Sequence, residues 1–231
     1  MVTKPVLLSV LLVVGMTTSA FSQGEYLDRS QSEFGVGTGI VNNENGSGIG
    51  ASVSYNGSGD VEVVISVSRV GFVSSFPSLY NVNRKVSGTA YSIEFLMHVV
   101  REDSMRVPFS ISLTVESELS WYSAQGDYYH MELFGTGGDY TYGIDASKEI
   151  YLTTSTYVRP SIGFNYLEGF NLGSAGSIES DRLYLLTGFI RTAYSVKTSE
   201  TETLLLEPAV TFNKNGTTFL IGVGIVFGKV H

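Results

Sequence analysis

The chain has 231 residues, enough for one β domain without forcing a second. Charged residues make up only 16%, against roughly 25% in soluble globular domains, and 14 basic residues face 22 acidic ones for a net charge of −8. That balance argues against nucleic acid as a partner. With no Cys, disulfides, thiolate metal sites and a lipid-modified N-terminal Cys are excluded.

In chain order the first feature is Lys4, followed by an apolar run from Pro5 to Met16 and then Ala20-Phe21-Ser22. This is the order of a secretory signal, so residues 1–22 are expected to be a signal peptide and 23–231 the single mature domain. The run is too short to cross a bilayer as a helix, which needs about 20 residues. Cleavage there leaves 13 basic residues against the 22 acidic ones, a net charge of −9.

From Phe34 the pattern has period two, the signature of half-buried strands. Phe34, Val36, Thr38 and Ile40 alternate with Gly35, Gly37 and Gly39. Ile49, Ala51, Val53 and Tyr55 alternate with Gly48, Gly50, Ser52 and Ser54, and Val61, Val63, Ile65 and Val67 with Glu62, Val64, Ser66 and Ser68. Tyr91–Val99 and Phe109–Glu116 continue it, with Ser92, Glu94, Leu96 and His98 on the second face of one and Ser110, Ser112, Thr114 and Glu116 on that of the other. A segment from His130 to Ile144 follows, then Ile150–Asn165, Leu183–Tyr194 (apolar on both faces, its phase unassigned), Leu204–Phe212 and Phe219–Phe227. About ten strands result, with 8 or 12 as alternatives, many near the 9–11 residues that cross a membrane at a tilt.

Asn45-Gly46, Asn56-Gly57 and Asn215-Gly216 each separate two alternating runs, and Asn-Gly is the strongest short hairpin signal. Longer connections are expected at Gly71–Val86 and Leu167–Asp181, both at one end of the barrel, as outer-membrane barrels place long loops outside.

Alternation alone does not say which face meets solvent, since a soluble lipocalin-like barrel has the same period. The glycines decide. Gly35, Gly37, Gly39, Gly222 and Gly224 sit on the polar face, where a soluble protein would expose bare strand backbone. Inside a narrow barrel the same glycines leave room for side chains from across the lumen. Aromatic residues at strand ends, among them Tyr55, Tyr91, Trp121, Tyr122, Tyr128, Tyr129, Phe164, Tyr166, Phe212, Phe219 and Phe227, fit interfacial girdles. The fold expected is all-β: a closed antiparallel transmembrane β-barrel.

The stretch Phe34-Gly-Val-Gly-Thr-Gly-Ile, its partner Gly-Ile-Gly-Ala-Ser-Val-Ser-Tyr and the closing Gly-Val-Gly-Ile-Val-Phe resemble small outer-membrane β-barrel proteins of the OmpA-like and opacity type. The resemblance covers nearly all the mature chain. It implies the outer membrane of a Gram-negative-type bacterium, contact with its lipid, and insertion by the barrel-assembly machinery, which reads the last strand. Phe219, Ile221, Val223, Ile225 and Phe227 match that signal, although Gly228-Lys229-Val230-His231 follow Phe227.

The candidate site is a lumen-facing polar cluster: Glu62, Glu94, His98, Glu116, Glu118, His130, Glu132, Arg159 and Glu207. Charges in a narrow lumen pair with one another and stiffen the barrel, or line a pore that prefers cations because acid exceeds base. Catalytic constellations are sought and not found. The His-x-Ser of lipid A deacylases has no match at His98-Val-Val or His130-Met-Glu, and neither do the acidic pairs of omptin-type proteases. Neither Gly35-Val-Gly37 nor Gly222-Val-Gly224 completes a dinucleotide fingerprint, and three His make a metal site improbable. The expectation is a non-enzymatic barrel without cofactor or metal, in a structural, adhesive or narrow-pore role. A hydrolase at the barrel rim and a soluble ligand-binding barrel are the competing readings. A surface ligand at the two long loops, through Phe72, Val73, Phe76, Leu79, Tyr80, Phe170 and Leu172, is the remaining partner expected.

Overall fold

A computed structural model describes residues 32–43, 46–57, 59–75, 83–102, 106–126, 133–171, 183–214 and 216–229. Ten long strands form the wall: β1 (Ser32–Asn43), β2 (Gly46–Asn56), β3 (Val61–Ser75), β4 (Asn83–Val100), β5 (Ser110–Gly126), β6 (Leu133–Ser147), β8 (Thr156–Asn171), β9 (Leu183–Lys197), β10 (Glu202–Asn213) and β11 (Gly216–Lys229). A two-residue strand, β7 (Ile150–Tyr151), pairs beside the start of β8. Every long strand pairs antiparallel with its sequence neighbour, and β1 pairs with β11 to close the cylinder. No wall strand is left with an unpaired edge, the condition for spanning lipid with strands.

The register fixes the shape. A circuit across paired positions runs from Tyr157 through Ser195, Leu205, Gly224, Gly37, Ser52, Ser66, Ser92, Glu118 and Asp139 to Gly169. It returns to β8 twelve residues from its start, 157 to 169. Ten strands with that stagger tilt by about 40° and enclose a backbone cylinder about 10 Å in radius. That bore is too narrow for a wide porin channel.

The apolar face points out. Ile40, Ile49, Ile65, Phe95, Ile162, Leu186, Phe219 and Ile221 are exposed, while Glu62, Glu94, Glu116 and Glu118 are buried. A soluble lipocalin-like barrel requires the reverse order, and that alternative is excluded. Tyr91 and Trp121 meet edge-to-face at 5.6 Å, and Tyr166 stacks near Tyr184 at 6.1 Å, both pairs on the outer surface.

Three boundaries differ from expectation. The run Ile150–Asn165 is not one strand: residues 152–155 form an exposed turn in which Leu152 and Thr153 N–H both donate to Thr156 O. The region Gly71–Val86 is largely strand, since β3 and β4 pair out to Ser75↔Asn83. Likewise β8 continues through Leu167 to Asn171. Pairing in these extensions outlasts the apolar alternation, so the sequence pattern faded before the hydrogen bonds did. Phe76, Leu79, Tyr80 and Leu172 lie outside the described residues, as do the side chains of Phe72, Val73 and Phe170.

All three Asn-Gly pairs stand at hairpins. In the β2–β3 turn, however, the left-handed residue is Gly59 (φ 73°), whose N–H donates to Asn56 Oδ1 at 2.6 Å. The side chain of Asn56 thus shapes this turn, a common use of Asn. The connections 57–60, 101–109, 148–155 and 198–201 share one end of the barrel, called here the turn end. At the opposite, loop end β3, β5 and β8 finish and β4, β6 and β9 begin.

Candidate functional site

The lumen holds the polar cluster. Glu62, Glu94, Glu116, Glu118, Arg159 and Glu207 are all buried and project inward. His98 is half-buried and also faces in, its Nδ1 2.9 Å from Ser112 Oγ. His130 and Glu132 lie outside the described residues. Four further charged side chains join the buried set: Glu33, Asp139, Asp145 and Arg191. Asp139 and Asp145 are not legible in the sequence because the alternation at His130–Leu133 puts even positions inward, whereas in β6 the odd positions Asp139, Thr141 and Asp145 face the lumen. Arg191 escaped because Leu185, Phe189 and Ala193 share its inward face with it, and apolar neighbours hid the phase of β9.

Toward the turn end the charges form a cross-lumen network. Arg191 Nη2 lies 3.5 Å from Asp145 Oδ1, and its Nε lies 4.0 Å from Glu207 Oε1. The same Nε–H donates to Ser161 Oγ at 2.9 Å, and the guanidinium sits 4.9 Å from the centre of the Phe189 ring. The charges that act on Glu207 are those of Arg191, Arg159, Glu62 and Asp145. Strands β6, β8, β9 and β10 are therefore linked across the bore by side chains rather than by backbone. Breaking a buried pair by removing one partner costs about 3–5 kcal/mol, so such a network holds its geometry.

The opposite side of the bore is bare. Gly35, Gly37, Ser52, Ser54, Gly222 and Gly224 line an open pocket that reaches Glu207. Here the glycines are required by close approach: a Cβ on Gly224 would stand 3.0 Å from Val36 O of the neighbouring strand. Gly37 pairs with Gly224 and Gly39 with Gly222, so the seam that closes the barrel is also its thinnest wall.

Below the loop end the lumen turns purely acidic. Glu94 faces Glu116 directly across β4–β5, and Glu118 faces Asp139 across β5–β6. Directly opposed side chains have Cβ atoms about 4.5–5.5 Å apart, where like charges disfavour each other.

No family model matches the chain, and no curated protein matches it. Among solved structures it is similar to the transport unit of the autotransporter AIDA-I from Escherichia coli, at 10% identity and TM-score 0.52, over 95% of this chain and 97% of that one. The fold is that of an outer-membrane β-barrel. Also similar are the β domain of the Bordetella autotransporter BrkA (10% identity, TM-score 0.47, 87% of this chain and 99% of that one) and the translocator domain of NalP from Neisseria meningitidis (11%, 0.46, 96% and 95%). Outward apolar residues and complete strand pairing place the barrel in a membrane, and the lumen is its only interior polar surface among the described residues.

Proposed function

We propose that the barrel is a non-enzymatic, narrow passage that prefers small cations, with the Arg191 network as its constriction. The observation that carries this reading is the open pocket lined by the glycine seam, which reaches Glu207. Beside the network the glycine wall leaves open space that a fully packed plug would fill. Eight buried carboxylates stand against two buried arginines among the described residues, which sets the sign of the preferred ion.

The narrower likeness to OmpA-like and opacity-type barrels rests on the glycine-alternating strands and belongs to this reading. So do contact with outer-membrane lipid, insertion by the barrel-assembly machinery through the alternating residues Phe219–Phe227, and any surface ligand at the loops. Purified barrel in planar bilayers tests the passage. Small steps of conductance are expected, with a reversal potential under a KCl gradient on the cation side. Silence in bilayers, with the barrel folded, would leave the network as a stiffening plug and end the pore reading.

A further inference from the structure

A break in the wall's hydrogen bonding faces lipid. Strands β9 and β10 pair at Leu206↔Tyr194 and resume, in the same register, at Ala209↔Arg191, but Glu207 with Ala193 and Pro208 with Thr192 are not paired. Proline is the cause. Lys197 N–H donates to Ser155 O on the β8 side and Thr198 N–H to Glu202 O on the β10 side. Backbone groups alternate sides along a strand, so Thr192 turns its N–H and C=O toward β10. Pro208 has no N–H to return, and the carbonyl of Thr192 loses its ladder donor. Pro160, paired with Thr192 on the other side, costs less, because its missing N–H points to β6, where Lys148 N–H donates to Pro160 O beside the turn end.

The side chain of Thr192 lies on the outer face between Pro160 and Pro208, opposite in sense to its inward neighbours Arg191 and Ala193. Ile190 and Tyr194 along the same face are exposed, and Pro208 pairs onward with the exposed Ile221. Thr38, another outward hydroxyl, turns back on the wall and donates to Gly50 O at 2.8 Å. Thr192 makes no such bond among the described residues. Hydrocarbon offers neither donor nor acceptor, so its hydroxyl and its carbonyl both stand unserved in the apolar belt. On the lumen side the gap is bridged, since Arg191 and Glu207, the residues next to Thr192 and Pro208, approach to 4.0 Å across the same two strands.

We propose that this face of β8–β10 is where two copies of the barrel meet in the membrane, with Thr192 near the two-fold axis. The residue carries one donor and one acceptor without partners. A second copy supplies a donor for each acceptor and an acceptor for each donor, the self-complementarity that a two-fold interface requires. An acyl chain supplies neither. The compact side chains of Pro160, Thr192 and Pro208 let two walls approach closely, as small residues do between membrane helices, while Ile162, Ile190 and Leu206 around them give apolar contact. The pairing is independent of conduction, because each barrel keeps its own lumen.

The chain has no Cys, so single-Cys variants report contacts between copies without interference from native thiols. Thr192→Cys and Ile190→Cys, treated with a short bis-maleimide in the native outer membrane, should give a cross-linked band of twice the chain's mass. Ile65→Cys, on β3 across the barrel and exposed like Ile190, should give severalfold less. Heat-modifiable migration reports folding, and Ile190→Cys, which keeps Thr192, decides if Thr192→Cys does not fold. Thr192→Val keeps the shape and removes the hydroxyl. It should weaken association of labelled barrels in vesicles, read by energy transfer, by about five- to tenfold, the worth of two hydrogen bonds in a membrane. Yields at Thr192→Cys and Ile190→Cys no greater than at Ile65→Cys would mean that the face meets lipid alone and would overturn the pairing. A product of another mass would assign the face to a different protein and overturn it as well, as would association unchanged by Thr192→Val.

Discussion

Replacing Arg191 with Met keeps the length of the side chain and removes its charge. In the native barrel the guanidinium lies 3.5 Å from Asp145, 4.0 Å from Glu207 and 2.9 Å from Ser161 Oγ. All three of these partners are buried. Were the network dry, the variant would leave two carboxylates facing each other's charge without their nearest cation, a loss of about 3–5 kcal/mol. Arg159 also acts on Glu207, which moderates the loss, so about 3 kcal/mol is expected. Were the network bathed in water, the pairs would count as surface ion pairs worth about 0.2–1 kcal/mol. Guanidinium-induced unfolding of vesicle-folded barrel separates the two, and Trp121, the single Trp, lies on the lipid face and reports it by fluorescence. A companion variant with Asp145→Asn and Glu207→Gln added should recover most of the loss, because removing a whole buried network is often nearly neutral. A single variant within about 1 kcal/mol of the wild type would refute the constriction as a closed, desolvated element.

Other outcomes follow from the same geometry. Ile221→Arg puts a charge on the lipid face and should cost about 2–4 kcal/mol of folding stability in vesicles, whereas Ser112→Arg, lumen-facing, should cost less; the reverse order would invert the assignment of faces. Gly163→Ala sets a Cβ against Ile144 O, the Phe189 ring and Asp145 Cβ, and should destabilise by about 1–3 kcal/mol in the same unfolding assay. Glu207→Gln removes the carboxylate nearest the pocket and should lower the cation preference measured by reversal potential, without changing heat-modifiable folding.

The wall was legible in the residues because a membrane barrel writes its cross-section into every second position. Phe34–Ile40 and Phe219–Phe227 gave both face and phase, since only glycines alternate with their apolar residues in the central part of each run. The phase of β9 was not legible, because Tyr184, Leu186 and Ile190 face lipid while Leu185, Phe189 and Ala193 face the lumen, and both sets are apolar. Arg191, the hub of the network, sits in that ambiguous strand. Its importance is a property of register, through Ala209↔Arg191 and Ser161↔Arg191, which brings it beside partners far away in sequence. Carboxylates on Glu62, Glu94, Glu116 and Glu118 were visible one by one as inward-facing. Which of them have a cation nearby was not, since that depends on the stagger of twelve residues around the barrel.

That stagger also explains why one lumen carries two chemistries. A barrel closed without stagger would set each residue level with its partners, and charges from all strands would share one belt. Here every step to the next strand shifts the level, so the inward residues of β6 and β8–β10 near the turn end gather acids and arginines together, whereas those of β4–β6 higher up gather acids alone. The seam strands β1 and β11 contribute almost no bulk where they face these groups, because Gly35, Gly37, Gly222 and Gly224 line the pocket there. Filling the seam, for instance with Gly37→Val, should therefore act on transport before it acts on the charged wall: the Cβ of residue 37 would meet Ser52 Oγ at 3.3 Å and Val223 O at 3.4 Å, a crowding the wall absorbs with small shifts. Conductance should fall severalfold while the unfolding midpoint moves little. Unaltered conductance in this variant would mean that ions, if they cross, do not use the glycine seam, and the pocket would lose its functional meaning.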